Sequence, residues 1–113
     1  MHRSRYLEAS IREDLAHRMV FVGGPRQVGK TTVAKGLLPA FPAGVHLDWD
    51  NERDRKAIRA ALWPGGEALV VLDELHKWRH WKRWIKGEFD KHGDRVRFLV
   101  TGSARLDVYR RGG

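Results

Sequence analysis

Gly24-Pro25-Arg26-Gln27-Val28-Gly29-Lys30-Thr31-Thr32 decides how the rest of the chain is read. The stretch fits G-x-x-x-x-G-K-[ST] at every fixed position. The apolar run Met19-Val20-Phe21-Val22 precedes it, and the helix-like Thr31-Thr32-Val33-Ala34-Lys35-Gly36-Leu37-Leu38 follows. Strand, glycine-rich loop and helix is the context in which this pattern holds phosphate. Gly24 and Gly29 allow backbone conformations and a close phosphate approach that a side chain would block. The loop amides then form an anion-binding concavity. A helix starting near Lys30 adds unpaired N–H groups and the positive end of its dipole. Lys30 reaches the β- and γ-phosphates as a point charge, and the Thr31 hydroxyl is placed to ligate Mg²⁺. Thr32 closes the cradle as a helix residue. The expected ligand is a nucleoside triphosphate.

A site of this kind needs a second half, an apolar strand ending in a carboxylate. Ala68-Leu69-Val70-Val71-Leu72-Asp73-Glu74 supplies it. The run is apolar throughout rather than alternating, as a parallel strand covered on both faces should be. Asp73 falls at the C-terminal end, the edge where open α/β sheets bind ligands. It is the candidate Mg²⁺ residue, acting through the ion's water shell. Glu74 is the candidate to orient and polarise an attacking water. Read alone, Asp73-Glu74 would be a solvated acidic pair opening a helix; the phosphate loop gives it chemistry. Lys30 and Glu74 are thus the candidate catalytic residues.

The remaining chain alternates helices and strands. Leu7, Ile11 and Leu15 recur at helical spacing within a helix over 6–17. Met19–Val22 is the first strand, and residues 30–38 form the helix after the loop. Val45-His46-Leu47 is a short second strand ending at Asp48-Trp49-Asp50. Asn51 caps a helix over 52–63 that Pro64-Gly65-Gly66 closes. Ala68–Leu72 is the third strand and 76–91 a helix rich in tryptophan. Val96–Val100 is the fourth strand, ending at Thr101-Gly102-Ser103. This order predicts a parallel sheet with helices on its faces, within one domain spanning 1–113. A polar residue at the tip of the fourth strand lies near a γ-phosphate; Thr101 and Ser103 are the candidates.

Composition narrows the classes. The chain has 113 residues, 42% of them hydrophobic. That length buries roughly two-thirds of the unfolded surface. No cysteine is present, which excludes disulfides and thiolate metal sites. No apolar leader and no run approaching a membrane span is visible, so the expectation is a cytoplasmic protein without a membrane partner. Twenty-two basic residues against fourteen acidic ones give a net charge of +8. Such a balance suits an anionic nucleotide or DNA. The basic residues are dense only in Lys77-Trp78-Arg79-His80-Trp81-Lys82-Arg83-Trp84, where aromatics interleave. Trp78, Trp81, Ile85 and Phe89 sit 3, 4 and 4 apart, the spacing of one buried helical face. The competing reading is a basic nucleic-acid-binding module that stacks bases on these rings, with nucleotide as a conformational switch.

Two metal patterns fail. Asp48-x-Asp50-x-Glu52 opens like a calcium loop, but its sixth position is Arg53 and its twelfth is Arg59. His76 and His80 have helical ligand spacing, but neither the glutamate of a zinc motif nor a third ligand accompanies them.

These residues resemble a known family. The loop Gly24–Thr32, Leu47-Asp48-Trp49-Asp50, Leu72-Asp73-Glu74-Leu75-His76-Lys77 and Leu99-Val100-Thr101-Gly102-Ser103-Ala104-Arg105-Leu106-Asp107 are similar to segments of prokaryotic AAA-type ATPases, the AAA domain proteins of the fourteenth group. The resemblance implies a P-loop NTPase fold, a three-layer α/β/α arrangement with strand order 5-1-4-3-2. It implies ATP and Mg²⁺ as ligands, with Lys30 and Thr31 on phosphate and Mg²⁺, and Asp73 on Mg²⁺. It also implies Glu74 as catalytic carboxylate and Thr101 or Ser103 as sensor. A homo-oligomer and DNA are the further candidate partners. Members of the family continue past the position of Gly113, so the chain reads as an N-terminal part whose fifth strand is missing. ATP binding with weak turnover is the expectation for it.

Overall fold

The computed structural model describes residues 2–23 and 30–102. Eight regular elements follow in order: α1 (His2–Leu15), β1 (Val20–Gly23), α2 (Lys30–Leu37), β2 (Ala43–Asp48), α3 (Glu52–Ala60), β3 (Ala68–Asp73), α4 (Trp81–His92) and β4 (Val96–Gly102). Two short 3₁₀ turns, Leu38–Ala40 and Leu75–Lys77, extend α2 and precede α4. All neighbouring strands run parallel, in the order β1-β4-β3-β2. This is the 1-4-3-2 portion of the order that the resemblance implies.

The sheet is built around β3. Its six residues are all buried, because β2 and β4 flank it and helices cover both faces. A run without polar alternation is what that position demands. Alternate residues of a strand point to opposite faces, and the two cores divide accordingly. Leu69, Val71, Val20 and Leu99 pack with Ile11 and Leu15 of α1 and Val33, Ala34 and Leu37 of α2. Val70, Leu72, Phe98 and Val100 pack with Ile58 of α3, Ile85 of α4, Trp49 and Leu75. Three layers result, with α1 and α2 on one side and α3 and α4 on the other.

Local chemistry sets the ends of α3. The Asn51 side chain accepts a hydrogen bond from the Asp54 amide at 3.0 Å. Glu52 and Asp54 occupy the first turn, and Arg59 the last, which suits the helix dipole at both ends. The helix stops at Ala60 rather than running to residue 63, because Ala61 turns left-handed (φ 52°, ψ 43°).

The expected helix over 76–91 is broken. Leu75–Lys77 forms a 3₁₀ turn, Trp78 is extended (φ −85°, ψ 122°), and α4 begins only at Trp81. Trp78 therefore does not share a helical face with Trp81 and Ile85. Its ring instead stacks on Trp49, with centroids 4.7 Å apart and planes 8° from parallel. Trp84 lies against Trp78 at 5.2 Å and against Trp63 at 6.2 Å, and Trp63 meets Phe98 edge-on. The tryptophans thus pack inward, while Arg79, Lys82, Arg83 and Lys86 stay exposed. Beneath them Glu88 is buried, and its Oε1 accepts the Trp63 indole N–H at 2.9 Å. Among the described residues no helix is long and apolar enough to cross a membrane.

Candidate functional site

The C-terminal ends of the four parallel strands meet at one edge. Asp48 of β2 lies in register with Asp73 of β3, Asp73 with Thr101 of β4, and Thr101 with Val22 of β1. Asp73 and Thr101 share the strand face of Val71 and Leu99, the face that α2 covers. The two residues separated by 28 positions in sequence are thereby joined: the Thr101 hydroxyl donates to Asp73 Oδ1 at 2.8 Å. The helix that starts at Lys30 lies on the same side of the sheet.

Asp73 is almost closed to solvent, at 9% exposure. Burial pushes its carboxyl upward, but contacts from His46 and Thr101 and the Glu74 amide together hold it below the ordinary aspartate value. The group is therefore an ionised, buried carboxylate at neutral pH. Its second oxygen, Oδ2, faces His46 Nε2 at 3.7 Å, a separation too long for a direct hydrogen bond.

Glu74 follows the strand with a left-handed backbone (φ 59°, ψ 23°). A non-glycine residue there carries strain, and such conformations cluster at functional sites. Two things hold it. Its amide donates to the Thr101 carbonyl at 2.8 Å, so the chain remains tied to β4. Its carboxylate Oε1 lies 3.5 Å from Lys77 Nζ and 3.7 Å from His76 Nε2. Lys77 in turn donates to both oxygens of Asp50, each at 2.9 Å. Asp50, above all, holds the Lys77 ammonium above its ordinary value. A chain of alternating charge thus runs from the β2–α3 turn to Glu74. His76 packs against the tip of β4, where a side chain at Gly102 would come within 2.5 Å of its Nδ1. Gly102 is therefore needed for close approach.

Asp73, Glu74 and Thr101 are brought together at the C-terminal ends of β3 and β4. Thr32 lies exposed in the first turn of α2. Gly24, Pro25, Arg26, Gln27, Val28, Gly29 and Ser103 lie outside the described residues, as do the side chains of Lys30 and Thr31. Sequence reasoning missed His46, Lys77 and Asp50. The signal for His46 was a polar side chain inside a short strand, two residues before Asp48 and so on the same face. The pairing of Asp50 with Lys77 spans 27 residues and left no local signal.

The donor set suits a small, hard cation. It offers an ionised carboxylate oxygen and a hydroxyl rather than sulfur or clustered imidazoles. Among the described residues no group of three or more metal-ligating side chains converges. A cation here would thus be held largely through water and a phosphate ligand, which is how Mg²⁺ is bound.

A family profile described as AAA domain, the fourteenth group of that name, matches residues 16–113. Among solved structures, that of C. elegans PCH-2 superimposes with a TM-score of 0.52 at 18% identity. The match covers 95% of this chain and 38% of that one. At this identity the likeness concerns the fold. No curated protein matches the chain.

Proposed function

Because the chain belongs to the AAA domain family, a family of ATPase-type nucleotide-binding domains, we propose that it binds ATP with Mg²⁺ and hydrolyses it to ADP and phosphate, with weak turnover by residues 1–113 alone. One observation carries this reading. A buried, ionised Asp73 stands at the C-terminal end of the central strand, tied to Thr101 and on the side of the sheet where α2 begins. That is the edge at which parallel sheets take ligands.

In this reading residues 1–113 act as one domain. The backbone N–H groups of Gly24, Arg26, Gln27, Val28 and Gly29 cradle the phosphates, Pro25 lines the loop without a donor of its own, and Thr32 stands in the first turn of the helix behind them. Lys30 neutralises charge on the β- and γ-phosphates. Thr31 and Asp73 are the residues that would hold Mg²⁺, whose contribution when bound is to neutralise charge developing on the phosphates. Thr101 and Ser103 border the γ-phosphate. Glu74 accepts a hydrogen bond from the attacking water and then its proton. The water oxygen bonds to the γ-phosphorus as the bond to the bridging oxygen breaks, leaving ADP and inorganic phosphate. The tie of the Glu74 amide to the Thr101 carbonyl supports a fixed backbone at this position, and Lys77 lies 3.5 Å from its carboxylate.

The test is calorimetric unfolding with and without Mg-ATP. Ligand at 100 times its dissociation constant stabilises a fold by about 2.7 kcal/mol. The natural chain is expected to shift upward, and Lys30→Ala to lose the shift. Glu74→Gln is expected to keep the shift while phosphate release falls by roughly 10²–10⁴. A cooperative transition that Mg-ATP does not move would sink the reading.

A second reading draws on the exposed Arg79, Lys82, Arg83 and Lys86, which favour contact with DNA phosphates. The rings of Trp78 and Trp84 pack on the core, so such contact would be to backbone rather than by base stacking. Binding that weakens steeply with salt, and further on neutralising Lys82 and Arg83, would support it; binding indifferent to both would end it.

A further inference from the structure

His46 carries an atom that the fold leaves unpaired. It lies in the middle of β2, in register with Val71, and so shares the strand face of Val71 and Asp73. Its Nε2 is closed to solvent and has no hydrogen-bond partner among the described residues. Buried polar atoms are seldom left in that condition. An aliphatic residue at this position would fill the space beside Val71 without the penalty of a buried, unpaired nitrogen. The histidine therefore has a use for its nitrogen.

Asp73 indicates the use. Its Oδ1 is taken by Thr101 at 2.8 Å, while Oδ2 faces His46 Nε2 at 3.7 Å. With its proton on Nε2 the imidazole is a donor to the carboxylate; the other tautomer would set two acceptors against each other. The separation exceeds a direct hydrogen bond, and the solvent-closed Nε2 leaves no room for a bridging water, so the contact is electrostatic, between the N–H and the carboxylate. Thr101 and His46 thus approach the carboxylate from strands on either side of β3, one to each oxygen.

We propose that His46 is a positioning residue of the cation site, restraining Asp73 Oδ2 by the electrostatic pull of its Nε2–H and so fixing how the carboxylate meets the ion. The inference rests on the reading of Asp73 as a metal residue. Groups that orient a metal-binding carboxylate typically account for 10–100-fold in metal affinity.

The test uses Mn²⁺ as a spin probe, titrated by electron paramagnetic resonance into the chain saturated with a non-hydrolysable ATP analogue. His46→Phe keeps a ring and removes the donor; His46→Leu is a second apolar replacement; His46→Gln restores an N–H. The apolar variants are expected to bind Mn²⁺ about 10–100-fold more weakly. Their affinity for the analogue without metal, and their unfolding temperature, should hold. His46→Gln should retain most of the Mn²⁺ affinity. If the imidazole only fills space, the pattern reverses: His46→Phe binds Mn²⁺ normally and His46→Gln is the damaged variant, which overturns the proposal. Analogue binding by the natural chain with no Mn²⁺ dependence would overturn it together with the metal role of Asp73. No analogue binding at all would instead remove the nucleotide reading on which both stand.

Discussion

One hydroxyl helps His46 and the Glu74 amide keep the central carboxylate charged. Thr101 donates to Asp73, and burial alone would raise that carboxyl. Thr101→Val keeps the shape and removes the donor. A buried hydrogen bond to a charged group contributes about 1.5–3 kcal/mol, so a loss near that size is expected in urea unfolding at neutral pH. The pH dependence has a definite sign. In the natural chain the folded Asp73 titrates below its unfolded value of 3.8. Its stabilising contribution is therefore complete above the unfolded value and is lost as pH falls through the folded one. Without Thr101 the folded value rises, so the variant loses the contribution at higher pH. The difference between the two proteins should be largest at neutral pH and shrink toward pH ~3. An equal difference at both pH values would mean that Thr101 acts only through packing.

At the scale of elements, the end of α3 offers a direct experiment. Ala61 adopts the left-handed conformation that closes the helix, where glycine is the favoured residue. The strain on a residue with a side chain is roughly 1–2 kcal/mol, partly offset by the greater freedom of glycine in the unfolded chain. Ala61→Gly should therefore stabilise the protein by up to about 1 kcal/mol in chemical denaturation; destabilisation would show that the strain is absent. The same helix shows what the sequence could reveal. Its start was legible in Asn51, because capping is a local interaction. Its end was not, because alanine gives no warning of a left-handed turn, whereas the stop signal visible in the sequence is Pro64-Gly65-Gly66. A continuous apolar run disclosed β3, since burial on both faces demands one, and mainly apolar runs marked β1 and β4. The break before α4 stayed hidden. The spacing of Trp78 from Trp81 and Ile85 mimics a helical stripe, yet the partner that draws Trp78 out is Trp49, 29 residues away. Asp73, Glu74 and Thr101 could be read as strand-end residues. His46 and the Asp50–Lys77 pair gain their meaning only from neighbouring strands and turns.

Across the molecule, stability should fall from the centre of the sheet outward. β3 is paired on both sides and wholly buried. Among the described residues β2 is paired on one side only, and its residues are partly exposed. Amides of well-buried central elements open only with global unfolding, whereas edges open locally. Hydrogen exchange should therefore be slowest at Val70, Val71 and Leu72 and faster along Val45, His46 and Leu47. Equal protection of both strands would mean that β2 gains a second partner in solution.

The stacked pair Trp49–Trp78 has a practical consequence. Trp49 immediately precedes Asp50, and Trp78 immediately follows Lys77, the two residues whose ion pair reaches Glu74. Two indoles stacked with nearly parallel planes at 4.7 Å form a coupled pair whose near-ultraviolet circular dichroism depends on their mutual arrangement. An event that moves the backbone at Asp50 or Lys77 would carry the adjacent ring with it. The chain therefore contains its own optical gauge beside the carboxylate, and rearrangement there can be followed without attaching a dye.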